Sequence, residues 1–308
     1  MNMKYYVRIY LKKGNIYKDN HGKELKKKNV IDQFNKLYIV PRYKDTKFFN
    51  ENKKVYAASI DDKGRTQYSY TSEFKEEREK KKKAQLKHFL TIQDSLESKI
   101  RRDMDQNIHK KNKLIATLLK LMKICNFRIG NDTYEKEYGS IGLTTLQSKH
   151  IRFKGDLTII EFTGKKKVMN TCNFKHKKLQ SILQSLNNRN QYLFSYKNDN
   201  NEIRHITNHD VNDYLQEFKI TNKDIRMANA NLLFLHFFNH YTKNENFQKM
   251  NEKDQKKIIR ECAEQVAHHL HNTRNVALNS YISSYVIQKL KKKNNNQPIK
   301  KQLQFYLN

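Results

Sequence analysis

The chain has 308 residues, enough for two domains of ordinary size or one large one. Its 62 Lys and Arg against 31 Asp and Glu give a formal net charge of +31, and repulsion on that scale destabilises a compact state unless a polyanion relieves it. No apolar stretch approaches the roughly 18–20 residues of a membrane-crossing helix, and MNMKYYVRIYLKKG at the N-terminus lacks the apolar core of a signal peptide, so nucleic acid is favoured over a membrane as the partner.

Residues 4–11 (KYYVRIYL), rich in aromatic and β-branched side chains, predict a strand. Val55–Ile60 and Arg65–Tyr70 flank the turn-type sequence Asp61-Asp62-Lys63-Gly64 and predict a β-hairpin. In its second strand Gln67 and Ser69 point one way, and Thr66, Tyr68 and Tyr70 the other. Past Ser72 the texture changes. FKEEREKKKKAQLKH (74–88) is a charge run without breakers and predicts a solvated helical connector, continuing through the helically spaced Leu86, Phe89, Leu90, Leu96 and Ile100. A second apolar helix runs through Leu114, Ile115, Leu118, Leu119 and Met122 and stops near Gly130.

Three short β runs follow, at 150–154, 157–163 and 168–173, with turns at Gly155-Asp156 and Gly164-Lys165-Lys166. Helices are expected at 177–186, 209–218, 224–249 with an internal break, and 252–270. A last one is expected near Tyr281–Lys293, ahead of a polar, basic tail. The fold class is therefore α+β. A β-rich N-terminal domain (1–75) would precede a larger, mainly helical domain (76–308) that contains a small three-stranded antiparallel sheet. Cys125, Cys172 and Cys262 are scattered, without CxxC spacing, and read as reduced thiols in an intracellular, reducing compartment. His268, His269 and His271 have no Cys or carboxylate partners at ligand spacing, so a helix surface is favoured over a metal site.

Breaking and rejoining a nucleic-acid backbone without a cofactor calls for a nucleophile that holds the strand covalently. It also calls for cationic donors around the phosphate oxygens and an acid for the leaving oxygen. The chain offers these types in order: Arg128 in CNFRIGN, Lys165 in FTGKKK, Arg226 in KDIRM, then LHNTR and Tyr281 in NSYI. Singly each has a bland reading, since Arg is abundant and Tyr281 is one of 18 tyrosines. Jointly they agree.

RIGNDTYEKEYGSIGLTTLQSKHI (128–151) resembles the segment after the first catalytic Arg of the short type IB DNA topoisomerases of bacteria and large DNA viruses. DDKGRTQYSY (61–70) resembles the strand by which that family touches the DNA major groove, and the spacing follows the family to about residue 285. The resemblance implies that Tyr281 forms a 3′-phosphotyrosyl bond while Arg128 and Arg226 clamp the phosphate oxygens. Lys165 would protonate the leaving oxygen and Asn272 would donate to the phosphate. Several members carry His in the last role; His271 is adjacent, but the nine-residue spacing to Tyr281 favours Asn272. Met227 and Lys166 also depart from residues common in the family.

For DNA contacts the resemblance points to Gln67, Tyr68, Tyr70 and Tyr134, and charge alone adds Lys63 and Arg65. It implies an enzyme that relaxes supercoiled duplex DNA as a monomer, with no ATP, metal or other cofactor, in host cytoplasm or a virion if the source is viral. The rival reading is a site-specific tyrosine recombinase or integrase. Its usual His-x-x-Arg is Lys223-x-x-Arg226 here, and its N-terminal module is usually helical. A DNA-binding protein without catalysis would have no need of the Arg128–Tyr281 set.

Overall fold

A computed structural model of the chain describes residues 4–11, 14–107, 110–186, 191–243, 246–292 and 297–308. The chain divides into two compact units, Met1–Lys81 and Lys82–Asn308.

In the first unit, β1 (Tyr6–Leu11), β2 (Gly14–Asp19), β3 (Lys44–Phe48), β4 (Val55–Ile60) and β5 (Thr66–Tyr70) form an antiparallel sheet in the order β2-β1-β3-β4-β5. Helix α1 (Lys28–Asn35) brings Phe34 against Tyr17 and Phe48, with ring centroids 5.2 Å apart in each pair. Arg8 is built into this aromatic core: Nε donates to the Tyr17 hydroxyl (2.7 Å) and Nη2 to the Phe34 carbonyl (2.6 Å). Its planar cation also lies 4.8 Å from the Phe48 ring, so its charge is solvated by π faces and acceptors. The hairpin of β4 and β5 forms as the turn chemistry predicts, with Gly64 at φ +71° and its N–H donating to Asp61 O at 2.9 Å. The strand at 4–11 also forms; β2, β3 and α1 fill a stretch that sequence left blank.

The second unit is mainly helical. The charge run becomes α2 (Ser72–Met104), one unbroken helix that carries the apolar positions Leu86 to Ile100 into the core. It is followed by α3 (Lys111–Cys125) and the short α4 (Asp132–Tyr138). The expected three-stranded meander is β6 (Ile151–Lys154), β7 (Leu157–Thr163) and β8 (Met169–Lys175), in that order. After α5 (Lys177–Leu186), a small ribbon of β9 (Ser195–Lys197) and β10 (Ile203–His205) precedes α6 (Asn208–Gln216), α7 (Asn222–Tyr241) and α8 (Glu252–His269). One turn, α9 (Arg274–Val276), leads into a π-helical turn at Ala277–Tyr281; α10 (Ser284–Lys292) and α11 (Ile299–Leu307) end the chain.

Three sequence expectations need correction. Tyr281 does not open the last helices; it closes the π-helical turn, after which Ile282 turns extended (ψ 134°). The stretch expected as a basic tail ends in α11, which buries Leu303, Tyr306 and Leu307 against the core. Cys125 and Cys172 are not free thiols. They form a disulfide with Cα atoms 5.5 Å apart, because the end of α3 lies against β8 although the two residues are 47 apart in sequence. Only Cys262 is unpaired, buried, with its thiol pushed up to about 12 by burial. The inference of a reducing compartment from three unpaired cysteines therefore loses its ground. Among the described residues no helix is long and apolar enough to cross a membrane.

Candidate active site

The first arginine is placed by the way α3 stops. Asn126 caps the helix in the left-handed conformation (φ +54°), and its side-chain oxygen accepts from Asn229 of α7 (2.9 Å). The chain then runs beside 142–144: Leu143 N donates to Arg128 O (3.0 Å) and Thr144 N to Ile129 O (2.7 Å). Glycine is required here twice. A Cβ on Gly142 would fall 2.3 Å from Gly130 Cα, and Gly130 itself has φ +95°. The Gly-containing motif 128–144 is thus a backbone crossing that holds Arg128 in place.

The C-terminus of α8 then receives both guanidiniums. It ends in a Schellman motif, with His271 N bonded to His268 O (3.1 Å) and Asn272 N to Ala267 O (2.8 Å). His271 takes the left-handed position, φ +52°. The carbonyls this frees are acceptors at the negative end of the helix dipole. Arg226 Nη2 donates to Leu270 O (3.0 Å), Arg128 Nη1 donates to His271 O (3.1 Å), and Arg128 Nη2 donates to the side-chain oxygen of Asn272. The one-residue ambiguity has a structural outcome: Asn272 reaches Arg128, while the His271 ring packs on Phe127 (5.2 Å) with Nε2 3.4 Å from Cys125 O. Burial and the neighbouring guanidiniums hold that imidazole down to about 4, so it is neutral near pH 7.

Arg226 projects from the first turns of α7 and is 2% exposed. Among the described residues, its Nε and Nη1 and the Asn272 Nδ2 are buried with no hydrogen-bond partner. A buried guanidinium ordinarily sits beside a carboxylate. Here it lies 5.4 Å from the ring of Tyr281. Burial pushes the Tyr281 phenol up, but the charges of Arg226, Arg128 and Lys223 outweigh it and leave the hydroxyl below its ordinary value. Burial and mutual repulsion lower Arg128 in turn.

These groups open on one cleft of about 340 Å³, lined by Arg128, Tyr134, Lys165, Lys223, Arg226 and Tyr281 among others. Lys165, at the tip between β7 and β8, is exposed and lies 5.6 Å from the exposed Tyr134 ring. Asn272 does not line the cleft and connects to it through its bond to Arg128. Sequence reasoning treated Lys223 merely as a departure from another family, yet it is one helical turn from Arg226 and faces the same cleft. It missed Asn231 altogether. That buried side chain donates to Tyr281 O (2.9 Å) and accepts from Ser283 N (2.9 Å), tying the tyrosine to the Arg226 helix. A polar residue on the apolar face of α7 was the available signal.

The DNA-contact candidates of the first unit lie on its hairpin. Tyr68 is exposed, and Tyr68 and Tyr70 share one face of β5 with centroids 6.1 Å apart. Gln67 is on the other face, where Nε2 donates to Asp61 Oδ2 (2.9 Å). Arg65 gives the same carboxylate oxygen Nε (2.9 Å) and Nη2 (2.7 Å), and the Lys63 N–H donates to Asp61 Oδ1 (3.0 Å). The Arg65 guanidinium and these amides hold the Asp61 carboxyl well below the usual carboxylate range.

A tyrosine with its ionisation eased by buried guanidiniums has the chemical character that covalent attack on a phosphodiester would require. Residues 71–305 match the family described as eukaryotic DNA topoisomerase I, catalytic core. DNA topoisomerase 1B of Acanthamoeba polyphaga mimivirus is 28% identical over 267 residues, covering 84% of this chain and 79% of that protein. DNA topoisomerase 1B of vaccinia virus (strain Copenhagen) is 24% identical over 239 residues, covering 76% and 72%, and DNA topoisomerase 1 of rabbit fibroma virus (strain Kasza) is 27% identical over 243, covering 77% and 72%. The chain belongs to the DNA topoisomerase I family, as a type IB DNA topoisomerase.

Proposed function

We propose that Tyr281 is the nucleophile that nicks one strand of duplex DNA and that the Arg128, Arg226 and Asn272 donors receive the reacting phosphate. The observation that carries this reading is the set of buried donors without partners, Arg226 Nε and Nη1 and Asn272 Nδ2, beside a tyrosine hydroxyl of lowered pKa. Such groups are costly unless an anion uses them, and the equatorial oxygens of a phosphodiester in its transition state can use such donors.

The steps balance without a cofactor. The Tyr281 hydroxyl gives its proton to water, eased by the surrounding positive charge, and its oxygen bonds to phosphorus. The bond from phosphorus to the 5′-oxygen breaks with its electron pair on that oxygen, which takes a proton from the Lys165 ammonium at the cleft mouth. The 3′-phosphotyrosyl ester keeps the linkage energy. The freed end rotates as torsion relaxes, and reversal of the two transfers reseals the strand. Tyr134 borders the cleft, and Tyr68, Tyr70, Gln67 and Lys63 are the proposed contacts of the β-rich unit with the duplex, with Arg65 serving the turn through its pairing with Asp61. The protein would act as a monomer, dividing the work between a DNA-clamping module (1–75) and a catalytic one (76–308). The viral sources of its relatives favour host cytoplasm or a virion as the setting.

Supercoiled plasmid, incubated with the protein in EDTA without ATP and quenched with SDS over time, tests this. The expected result is a ladder of relaxed topoisomers and a covalent protein–DNA adduct, both absent from a folded, DNA-binding Tyr281→Phe protein. Relaxation that survives in Tyr281→Phe would overturn the assignment.

A further inference from the structure

The nucleophile's backbone is not held by an ordinary helix. The turn Ala277–Tyr281 is π-helical, closed by Ile282 N bonding to Ala277 O at 2.9 Å, and the chain turns extended at once. A helix that stops this abruptly leaves its last carbonyls without the N–H groups of a following turn. Two side chains from other helices serve the segment instead. Asn231 of α7 takes Tyr281 O, as described above. From α2, the Lys82 ammonium donates to Asn279 O and to Ile282 O, each at 3.3 Å.

Lys82 is an unusual member of its neighbourhood. It lies in the run KKKK (80–83), whose other lysines read as a solvated face, yet it is only 8% exposed. Burying an ammonium is unfavourable unless strong acceptors surround it. Carbonyls two residues before and one residue after Tyr281 are such acceptors, and one cation bridging them fixes the angle at which the chain passes through the tyrosine. The side chain is directed at backbone, is absent from the lining of the reactive cleft, and so cannot serve as a donor to phosphate without leaving its place.

We propose that Lys82 is a positioning residue for Tyr281: by bridging the carbonyls of Asn279 and Ile282 it holds the phenol oxygen in line for attack. This deepens the reading of Tyr281 as the nucleophile and rests on it. Misplacement of an attacking atom by about 1 Å can cost on the order of a hundredfold in rate, with no change in substrate binding.

The test uses the full chain and a synthetic duplex carrying a cleavage site mapped with the wild-type protein. Single-turnover adduct formation is measured for Lys82→Met, Lys82→Arg and Tyr281→Phe, together with affinity for the duplex and thermal unfolding. Lys82→Met should slow cleavage by between about tenfold and a hundredfold at saturating DNA. Its affinity should stay within about twofold, and Lys82→Arg should recover part of the rate. The same duplex with sulfur in place of the 5′-bridging oxygen separates positioning from acid catalysis, since a thiolate leaves without a proton. It should restore Lys165→Ala but leave Lys82→Met slow.

Wild-type cleavage rates in Lys82→Met would overturn the inference. So would full rescue by the sulfur substrate, or a defect that tracks lost affinity, which would make Lys82 an acid or a phosphate contact. If Lys82→Met does not fold, Lys82→Gln decides: rescue by sulfur or an unchanged rate counts against positioning, and a slowed rate with unchanged affinity supports it. Cleavage by Tyr281→Phe would instead overturn the nucleophile assignment, whatever Lys82 does.

Discussion

Arg65 and Arg226 stand in opposite circumstances. On the hairpin, Arg65 is exposed and its guanidinium is occupied twice over by Asp61, which also gathers the Gln67 amide and the backbone of the turn. In the cleft, Arg226 is almost wholly buried, one of its nitrogens goes to the end of α8, and among the described residues no carboxylate pairs with the other two, which have only the Tyr281 phenol nearby. The first arrangement satisfies itself, and is what a stable turn requires. The second violates local satisfaction, and a protein keeps such a violation where a ligand completes it. Net charge of +31 describes both regions equally and so distinguishes neither.

The largest effect should come from breaking the unsatisfied side. Arg226→Ala should lower single-turnover cleavage by roughly a thousandfold, the upper end for loss of a preorganised donor, because it removes two donors and a charge together. Arg226→Lys should recover little, since a point charge cannot replace a planar fork whose third nitrogen is already anchored on Leu270 O. Folding should survive, because relieving a buried uncompensated charge favours the folded chain. A rate within tenfold of wild type, measured as covalent adduct against time, would place Arg226 among ordinary structural arginines and collapse the contrast with Arg65.

A second effect concerns the frame that holds the cleft. The Cys125–Cys172 disulfide joins the end of α3, three residues before Arg128, to β8, which leads away from the Lys165 tip. Cys172→Ser removes a cross-link between residues 47 apart, and unfolding in urea should show a loss of roughly 2–4 kcal/mol. Wild-type protein in strong reductant should lose the same amount, and adding reductant to the variant should change nothing. Equal midpoints for oxidised and reduced wild type would mean that the packing of α3 on β8 fixes this corner by itself.

Much of this was legible in the sequence where chemistry is local. The hairpin at 55–70 follows from its turn residues, the meander at 150–175 from short β runs between glycines, and most helices from their apolar period. Arg128, Lys165, Arg226 and Tyr281 could be named because the reaction needs those types and their order resembles that of the family, and the cleft gathers all four. What escaped depends on contacts far apart in the chain. No spacing rule joins Cys125 to Cys172, or Lys82 to carbonyls about 200 residues later. Asn231 is hidden for the same reason, its partners lying 50 and 52 residues on. The π-helical turn at Tyr281 takes the place of the ordinary helix start expected there. The last helix, α11, was lost behind the Lys and Asn of the segment before it.

The smallest effect should come from the satisfied side, and its size is informative. If Arg65 were a free phosphate contact, Arg65→Ala would reduce the slope of log affinity against log salt by about one. Bound through two nitrogens to Asp61 Oδ2, it already has a counter-charge, and releasing it to a phosphate would leave the buried Asp61 without its cation. Arg65→Ala should therefore change the slope by less than about half of one phosphate and weaken binding by no more than a few-fold. Tyr68→Ala, on the opposite and exposed face of the same strand, should weaken binding more with an unchanged slope, since a ring contact releases no counterions. Affinities for a noncleavable duplex in the Tyr281→Phe background, taken at several salt concentrations, decide it. A full unit of slope lost with Arg65 would show that DNA competes successfully with Asp61, and that the hairpin's ion pair is a latch opened on binding rather than a finished piece of structure.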